Sequence, residues 1–135
     1  MKLENFIEIV CKKLAVSIPT APVDNTYFID YKNNKVSIRM EGKNILLQST
    51  LGPQLKDSDA SKNAALLSEI LQFNLKRMRV LDETLSLNPE TKQLCLRKEL
   101  SLDKLTPENS WDSFDDFLTN VTVIEKRFFS DDTYA

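Results

Sequence analysis

The stretch from residue 66 to residue 105 most constrains the fold, because the spacing of its apolar residues changes partway along. Leucine and isoleucine recur at helical spacing through residues 66–75, then at every second position through residues 81–87 and 94–102. A period near 3.6 is typical of a helix with one apolar face, and a period of 2 is typical of a half-buried strand. Turn-forming residues at 88–92 separate the two alternating runs. This stretch therefore predicts a helix followed by a hairpin.

The rest of the chain adds two helices and three strands. Apolar residues three and four apart predict a first helix over about residues 2–15, and Pro19 and Pro22 follow it. The middle helix is expected over about residues 60–76. Thr106 and Pro107 are typical of a helix start and predict a last helix to about residue 129. The predicted strands cover residues 27–31, 35–40, 45–51, 80–87 and 94–102.

The order is therefore helix, three strands, helix, two strands, helix. Because strands and helices are grouped rather than alternating, the fold class is α+β with a twisted antiparallel sheet. The turn after the second predicted strand contains Gly42, which can supply a positive φ. A length of 135 residues fits one domain, which we assign to residues 1–129, with a flexible polar tail at 130–135.

Composition and charge exclude several classes of function. The net charge of −2 and the dispersed basic residues give no long-range attraction to nucleic acid or anionic lipid. No run approaches the roughly 20 apolar residues that span a bilayer. Charged residues interrupt the apolar stretch at residues 6–10 and no cleavage site follows it, so we expect no signal peptide. Cys11 and Cys95 lack a CxxC spacing, which favours a reducing compartment. We therefore expect no nucleic-acid partner and no membrane association.

Catalytic machinery is also not expected. The chain has no histidine, so the commonest general base and metal ligand is missing, and two glycines cannot form a phosphate-binding loop. The remaining candidates are Asp112, Asp115 and Asp116, which could act in a carboxylate-dependent hydrolase. Asp112 and Asp116 are four residues apart on one helical face and could hold a cation. Acids in the first turns of a helix more simply favour its positive end. The interpretation is a protein without enzymatic activity, metal or cofactor.

The apolar residues exceed what a small core requires. The first helix carries a wide apolar stripe, and Ile45, Leu46 and Leu47 are consecutive, so both faces of their strand should meet apolar surroundings. The middle helix is apolar around most of its circumference, which is typical of burial on two sides. A second copy of the chain would cover its second side, since two-fold homodimers are the commonest oligomers. Uncovered apolar surface on the first helix and first strands would mark a partner site.

The pattern resembles the class I chaperones of bacterial type III secretion, the Tir-chaperone-like family, over about residues 3–129. The resemblance rests on the element order, the size, the acidic pI near 5.2 and the leucine-rich segment at 66–75 that ends in Asn74-Leu75. The hairpin over residues 84–105 and the aromatic last helix also fit. One departure is Asp82-Glu83 before Thr84, where members often have a glycine or small residue. Larger residues at this point affect the geometry of the strand that begins there and the way two subunits would pack.

The resemblance implies a homodimer in the bacterial cytoplasm that binds the N-terminal region of a secreted effector in extended form, by β-augmentation and apolar grooves. It also implies contact between an acidic surface and the secretion ATPase or sorting complex. The implied dimer interface comprises Leu66, Ile70, Leu71, Phe73, Leu81 and Leu85. The implied effector-binding residues are Phe6, Val10, Phe28, Val36, Ile38, Ile45 and Leu47. The alternative is a non-catalytic module that titrates a secretion regulator or anti-activator, and the identity of the bound chain discriminates the two.

Overall fold

The structure is a computed structural model that describes residues 1–19, 25–32, 34–52, 60–77, 83–88 and 91–129. Its elements are α1 (Leu3–Leu14), β1 (Thr26–Tyr31), β2 (Asn34–Glu41), β3 (Asn44–Leu51), α2 (Ala60–Arg77), β4 (Glu83–Leu87), β5 (Leu94–Ser101) and α3 (Pro107–Phe129). A short 3₁₀ turn, Leu102–Lys104, precedes α3. This confirms the predicted α+β order. The predicted tail and the predicted start of β4 at residues 80–82 lie outside the described residues.

The five strands form one antiparallel sheet in the order β1-β2-β3-β5-β4. The chain leaves β3, passes through α2 to the far edge as β4, and returns as β5 to pair with β3. The two edge strands are therefore β1 at one side of the sheet and β4 at the other. The tight turn between β2 and β3 places Gly42 at a φ of 61°, as its sequence position predicted.

Local sequence sets where the outer helices start and stop. Ala15 adopts a left-handed conformation after α1, and the following Val16 N–H donates to the Cys11 carbonyl at 3.1 Å. At the start of α3, the Thr106 hydroxyl accepts from the Asn109 N–H, and the Asn109 side chain accepts from the Thr106 N–H at 2.8 Å. This reciprocal cap satisfies two amides that have no partner inside the helix.

The core lies between one face of the sheet and the helices. Side chains at alternate positions of the strands point to this face and pack with α1, α3 and one side of α2. Phe6 of α1 meets Phe114 of α3 edge to face, with 6.2 Å between ring centroids. The opposite face of the sheet, which we call the open face, carries no helix among the described residues. No described helix is both long and apolar enough to cross a membrane.

Candidate functional site

Six of the seven residues proposed to bind an effector lie inside the chain. The side chains of these six are fully buried and belong to the main hydrophobic cluster: Phe6, Val10, Val36, Ile38, Ile45 and Leu47. Their periodicity correctly marks one face of α1 and of β2 and β3, but α3 and the sheet itself cover that face. A side chain without accessible surface cannot contact a ligand unless the fold rearranges. In this conformation the six are core residues and not a groove.

Phe28 is the one proposed effector-binding residue on the surface. It lies in β1 on the open face of the sheet, and the residue is 44% exposed. The Lys35 ammonium lies 5.8 Å from the centroid of its ring, which is within the range of a cation–π contact. Its neighbours Tyr27 and Tyr31 point to the other face and are partly buried against the core. β1 therefore presents aromatic side chains on both of its faces.

The proposed dimer interface divides in a similar way. Leu66, Ile70, Phe73 and Leu85 are buried in the core of the chain, and Leu81 lies outside the described residues. Leu71, by contrast, is 66% exposed.

The neighbouring Leu67 is also exposed, at 43%, although the sequence interpretation did not select it. Leu67 and Leu71 are four residues apart, so they lie one turn apart on the same side of α2. The helical spacing alone could have indicated this pair, because neither residue lies on the buried side of α2 that contains Leu66, Ile70 and Phe73. These two leucines form an apolar surface that the single chain does not cover, which we call the α2 stripe.

The two edges of the sheet differ in their accessibility. At β4, the side-chain amide of Asn74 donates to the Leu85 carbonyl at 2.7 Å, and its oxygen accepts from the Leu85 N–H at 2.8 Å. Asn74 therefore occupies the backbone groups that a further strand would need at that position. At β1, no described residue outside β2 pairs with the strand. An edge strand is a template for strand addition.

Two depressions lie on the open face. The larger, about 530 Å³, lies over β3, β5 and β4 and is lined largely by polar side chains, among them Thr84, Ser86 and Arg97. The smaller, about 290 Å³, lies over β1, β2 and β3 and includes Phe28 and Arg39. We call the smaller one the β1–β2 depression. Both are open depressions rather than enclosed cavities.

Charged residues cross the open face between these depressions. Glu41 accepts from the guanidinium of Arg39 at 3.3 Å and lies 3.7 Å from that of Arg97. Leu46 lies on the same face, opposite Arg39 in the β2–β3 pairing, and is only 1% exposed. Long charged side chains can cover apolar surface with their methylene stems while their charged groups remain in water. Leu46 therefore adds no exposed apolar surface to the open face.

A third depression, about 270 Å³, lies where the end of α1, the end of β1 and α3 meet. Leu14, Tyr31 and Trp111 supply its apolar lining, Lys13 and Lys32 add positive charge, and Asp115 adds a carboxylate. The Lys32 ammonium lies 5.3 Å from the Tyr31 ring centroid. Sequence analysis did not select the three apolar residues, because two of them lie at element ends where periodicity carries little information. This depression and the β1–β2 depression lie on either side of the edge strand β1.

The carboxylates considered as catalytic candidates are surface residues. Asp112, Asp115 and Asp116 are exposed on α3. Within the described ranges, no three histidine, cysteine, aspartate or glutamate side chains are grouped so as to hold a metal ion.

Both cysteines are buried free thiols, and burial raises the pKa of each. For Cys95, a hydrogen bond with Gln48 and the charge of Arg97 oppose this rise. Thiols in such surroundings are poor nucleophiles at neutral pH.

Comparisons with known proteins agree with this architecture. Residues 25–121 match the family model described as Tir chaperone protein (CesT) family. No curated protein sequence matches the chain significantly. A chain of the ExsC–ExsE complex superposes with a TM-score of 0.68 at 12% identity, and the match covers 95% of this chain and 94% of that one.

Two further solved structures show the same fold. A chain of the HopA1–SchA chaperone–effector complex gives a TM-score of 0.62 at 14% identity, with coverage of 93% and 98%. A chain of the ExoU–SpcU complex from the type III secretion system of Pseudomonas aeruginosa gives 0.62 at 12% identity, with coverage of 90% and 93%.

Proposed function

Because this chain belongs to the Tir chaperone protein (CesT) family, we propose that it is a type III secretion chaperone that binds an extended N-terminal segment of a secreted effector in the bacterial cytoplasm. The observation that carries the proposal is the match over residues 25–121, which spans the whole sheet. Exposed aromatic and apolar residues around the edge strand β1 support it, because they suit an extended peptide better than a small substrate.

The binding surface in this proposal is centred on β1. We call the bound effector segment the client. Strand addition at this edge would form backbone hydrogen bonds that do not depend on the amino-acid sequence of the client. Phe28 on one face, and Tyr31 with Trp111 on the other, would then receive client side chains. Each fully buried apolar side chain adds about 1.5–3 kcal/mol before the cost of ordering the client. Several such contacts are needed for tight binding, so an extended footprint is expected.

The proposal includes a homodimer, formed through the α2 stripe. Leu67 and Leu71 support it as exposed apolar residues on the helix at the β4 edge. Because β4 and β1 are opposite edges of the sheet, association through α2 leaves the client surface of each subunit free. A dimer would thus present two copies of the β1 surface to one long segment, which increases avidity.

Contact with the secretion ATPase or sorting complex is a further part of the proposal. Exposed carboxylates at Asp112, Asp115 and Asp116 of α3 support an acidic contact surface. Replacement of Asp112 and Asp116 by asparagine is expected to leave client binding intact and to reduce export, which would separate this role from the client surface. Asp115 is kept in this variant because it lines the third depression.

The experiment that tests the proposal is affinity purification of the tagged chain from its native cells, followed by mass spectrometry and a secretion assay. We expect a stoichiometric partner whose N-terminal region is required for capture and whose export falls when this chain is deleted. Capture of a cytoplasmic regulator that is never exported would instead support the titrating module. A chain that purifies without a partner, under conditions in which the secretion system is expressed, would contradict both.

A further inference from the structure

The β1–β2 depression differs from its surroundings in charge. Its lining includes Lys35 and Arg39 but no carboxylate. Lys35 forms no ion pair with any described carboxylate, and the ring of Phe28 lies beneath its ammonium group. Arg39 shares the Glu41 carboxylate with Arg97. One carboxylate thus serves two guanidinium groups, so a positive charge at the depression remains available to a second acid.

The strand register fixes what an added strand would meet on the open face. Thr26, Phe28 and Asp30 point to this face of β1, and their partners in β2 are Arg39, Ser37 and Lys35. A strand added outside β1 would lie about 5 Å from it and about 10 Å from β2. Thr26 is small, so a glutamate on the added strand opposite it can reach across to Arg39. A glutamate opposite Asp30 would instead face a like charge, which is unfavourable.

We propose that the client segment accepted at β1 carries an apolar residue opposite Phe28 and, two residues later, an acidic residue opposite Thr26 that pairs with Arg39. Every strand pair of the sheet is antiparallel, and an antiparallel client runs from Asp30 towards Thr26. The acid therefore follows the apolar residue in sequence. The inference rests on the proposed function, and it specifies the chemistry of the segment that the β1 surface selects.

Two peptides of equal composition and equal charge test this pattern. Both are seven-residue threonine peptides with blocked ends and leucine at the third position. One carries glutamate at the fifth position, on the same face as the leucine, and the other carries it at the fourth, on the opposite face. Binding is measured by NMR titration of the isotope-labelled chain, because amide shifts report weak affinities and also locate the bound peptide.

We expect amide shifts in β1 and about threefold tighter binding of the peptide with glutamate at its fifth position, a ratio typical of one solvent-exposed ion pair. Arg39→Gln keeps much of the aliphatic stem that lies near Leu46, and it should abolish the difference between the peptides. Lys43→Gln removes an equal charge at the exposed β2–β3 turn and should preserve the difference. Far-ultraviolet circular dichroism checks that both variants are folded.

Equal affinities of the two peptides, a difference that survives Arg39→Gln, or an absence of shifts in β1 at millimolar peptide would each overturn the inference. Its failure is distinguishable from failure of the proposed function. An exported client that binds the wild type and Arg39→Gln equally well would leave the chaperone role intact and remove only the charge pattern. Loss of the chaperone role would appear in the affinity purification, whatever the peptides show.

Discussion

Asn74 of α2 pairs with the backbone of Leu85 in β4 through two hydrogen bonds of 2.7 and 2.8 Å. The side-chain amide thus imitates one residue of a neighbouring strand, since it offers a donor and an acceptor in the same orientation. Edge strands invite pairing with other chains, and proteins commonly block the edge that is not used. The pairing closes the β4 edge at Leu85, which is consistent with the proposal that a client pairs at β1.

Replacement of Asn74 by alanine should therefore destabilise the chain and expose the β4 edge. The partly buried N–H and C=O of Leu85 would lose their partners, which costs about 1–3 kcal/mol. Urea unfolding measures the loss, and light scattering measures the increased tendency to aggregate. Gln72→Ala, an exposed change on the same helix, is the matched control and should alter stability by less than about 0.5 kcal/mol. Equal effects of the two variants would contradict the role of Asn74.

Leu71→Asp should weaken self-association without unfolding the chain. The side chain is 66% exposed, so the charge is tolerated in the monomer but is costly in a dry interface. The dimer dissociation constant is expected to rise about tenfold or more, as measured by analytical ultracentrifugation. Val123→Asp places the same charge at an exposed position of α3 and should leave the dimer unchanged. A Leu71→Asp variant that remains fully dimeric would place the interface elsewhere.

Phe6 and Phe28 should respond in opposite ways to truncation. Phe6 has no accessible surface and packs on Phe114, so Phe6→Ala should cost about 3–5 kcal/mol of stability. Phe28→Ala should change stability by less than about 1 kcal/mol and weaken client binding instead. Chemical unfolding and a binding assay with the purified client separate the two effects. A stable Phe6→Ala chain that has lost only client binding would instead support an effector-binding groove at Phe6, as the family resemblance implies.

Loss of the α3 cap should produce a small and local effect. Thr106→Ala removes the hydroxyl that accepts from the Asn109 N–H, and such a change typically costs about 1 kcal/mol. Thr119→Ala, at an exposed position in the middle of α3, provides a control with the same chemistry. We expect a lower melting temperature for Thr106→Ala only. Identical melting temperatures for both variants would show that the cap contributes nothing measurable.

The buried thiols predict a loss of stability at alkaline pH. Burial raises the pKa of Cys11 and of Cys95 above the ordinary value of 9.0. Above that pH the unfolded chain releases thiol protons that the folded chain retains, so the free energy of unfolding falls as the pH rises. At neutral pH both thiols should react with Ellman's reagent only after denaturant is added. Rapid reaction of the native chain with the reagent would contradict this explanation. So would an alkaline fall in the free energy of unfolding that is as large in a Cys11→Ala and Cys95→Ala double variant as in the wild type.

The sequence by itself determined the order of the elements and which side of each one is apolar. The periods of 3.6 and 2 record this directly, as does the positive φ available to Gly42. Local signals also set the start of α3, because the cap involves residues only three positions apart. The departure at Asp82-Glu83 did not prevent the strand, since Glu83 is buried and its carboxylate accepts from the Asn120 side chain at 2.8 Å.

Only the tertiary structure decided which apolar residues are left for partners. Phe6 and Phe28 are equally apolar in the sequence, yet one lies under α3 and the other on a face that no described helix covers. Periodicity alone cannot resolve this, because a period identifies a face of an element and not the element that covers it. The same holds for the two sheet edges, since Asn74 and Leu85 are eleven residues apart and their pairing depends on how α2 packs against β4.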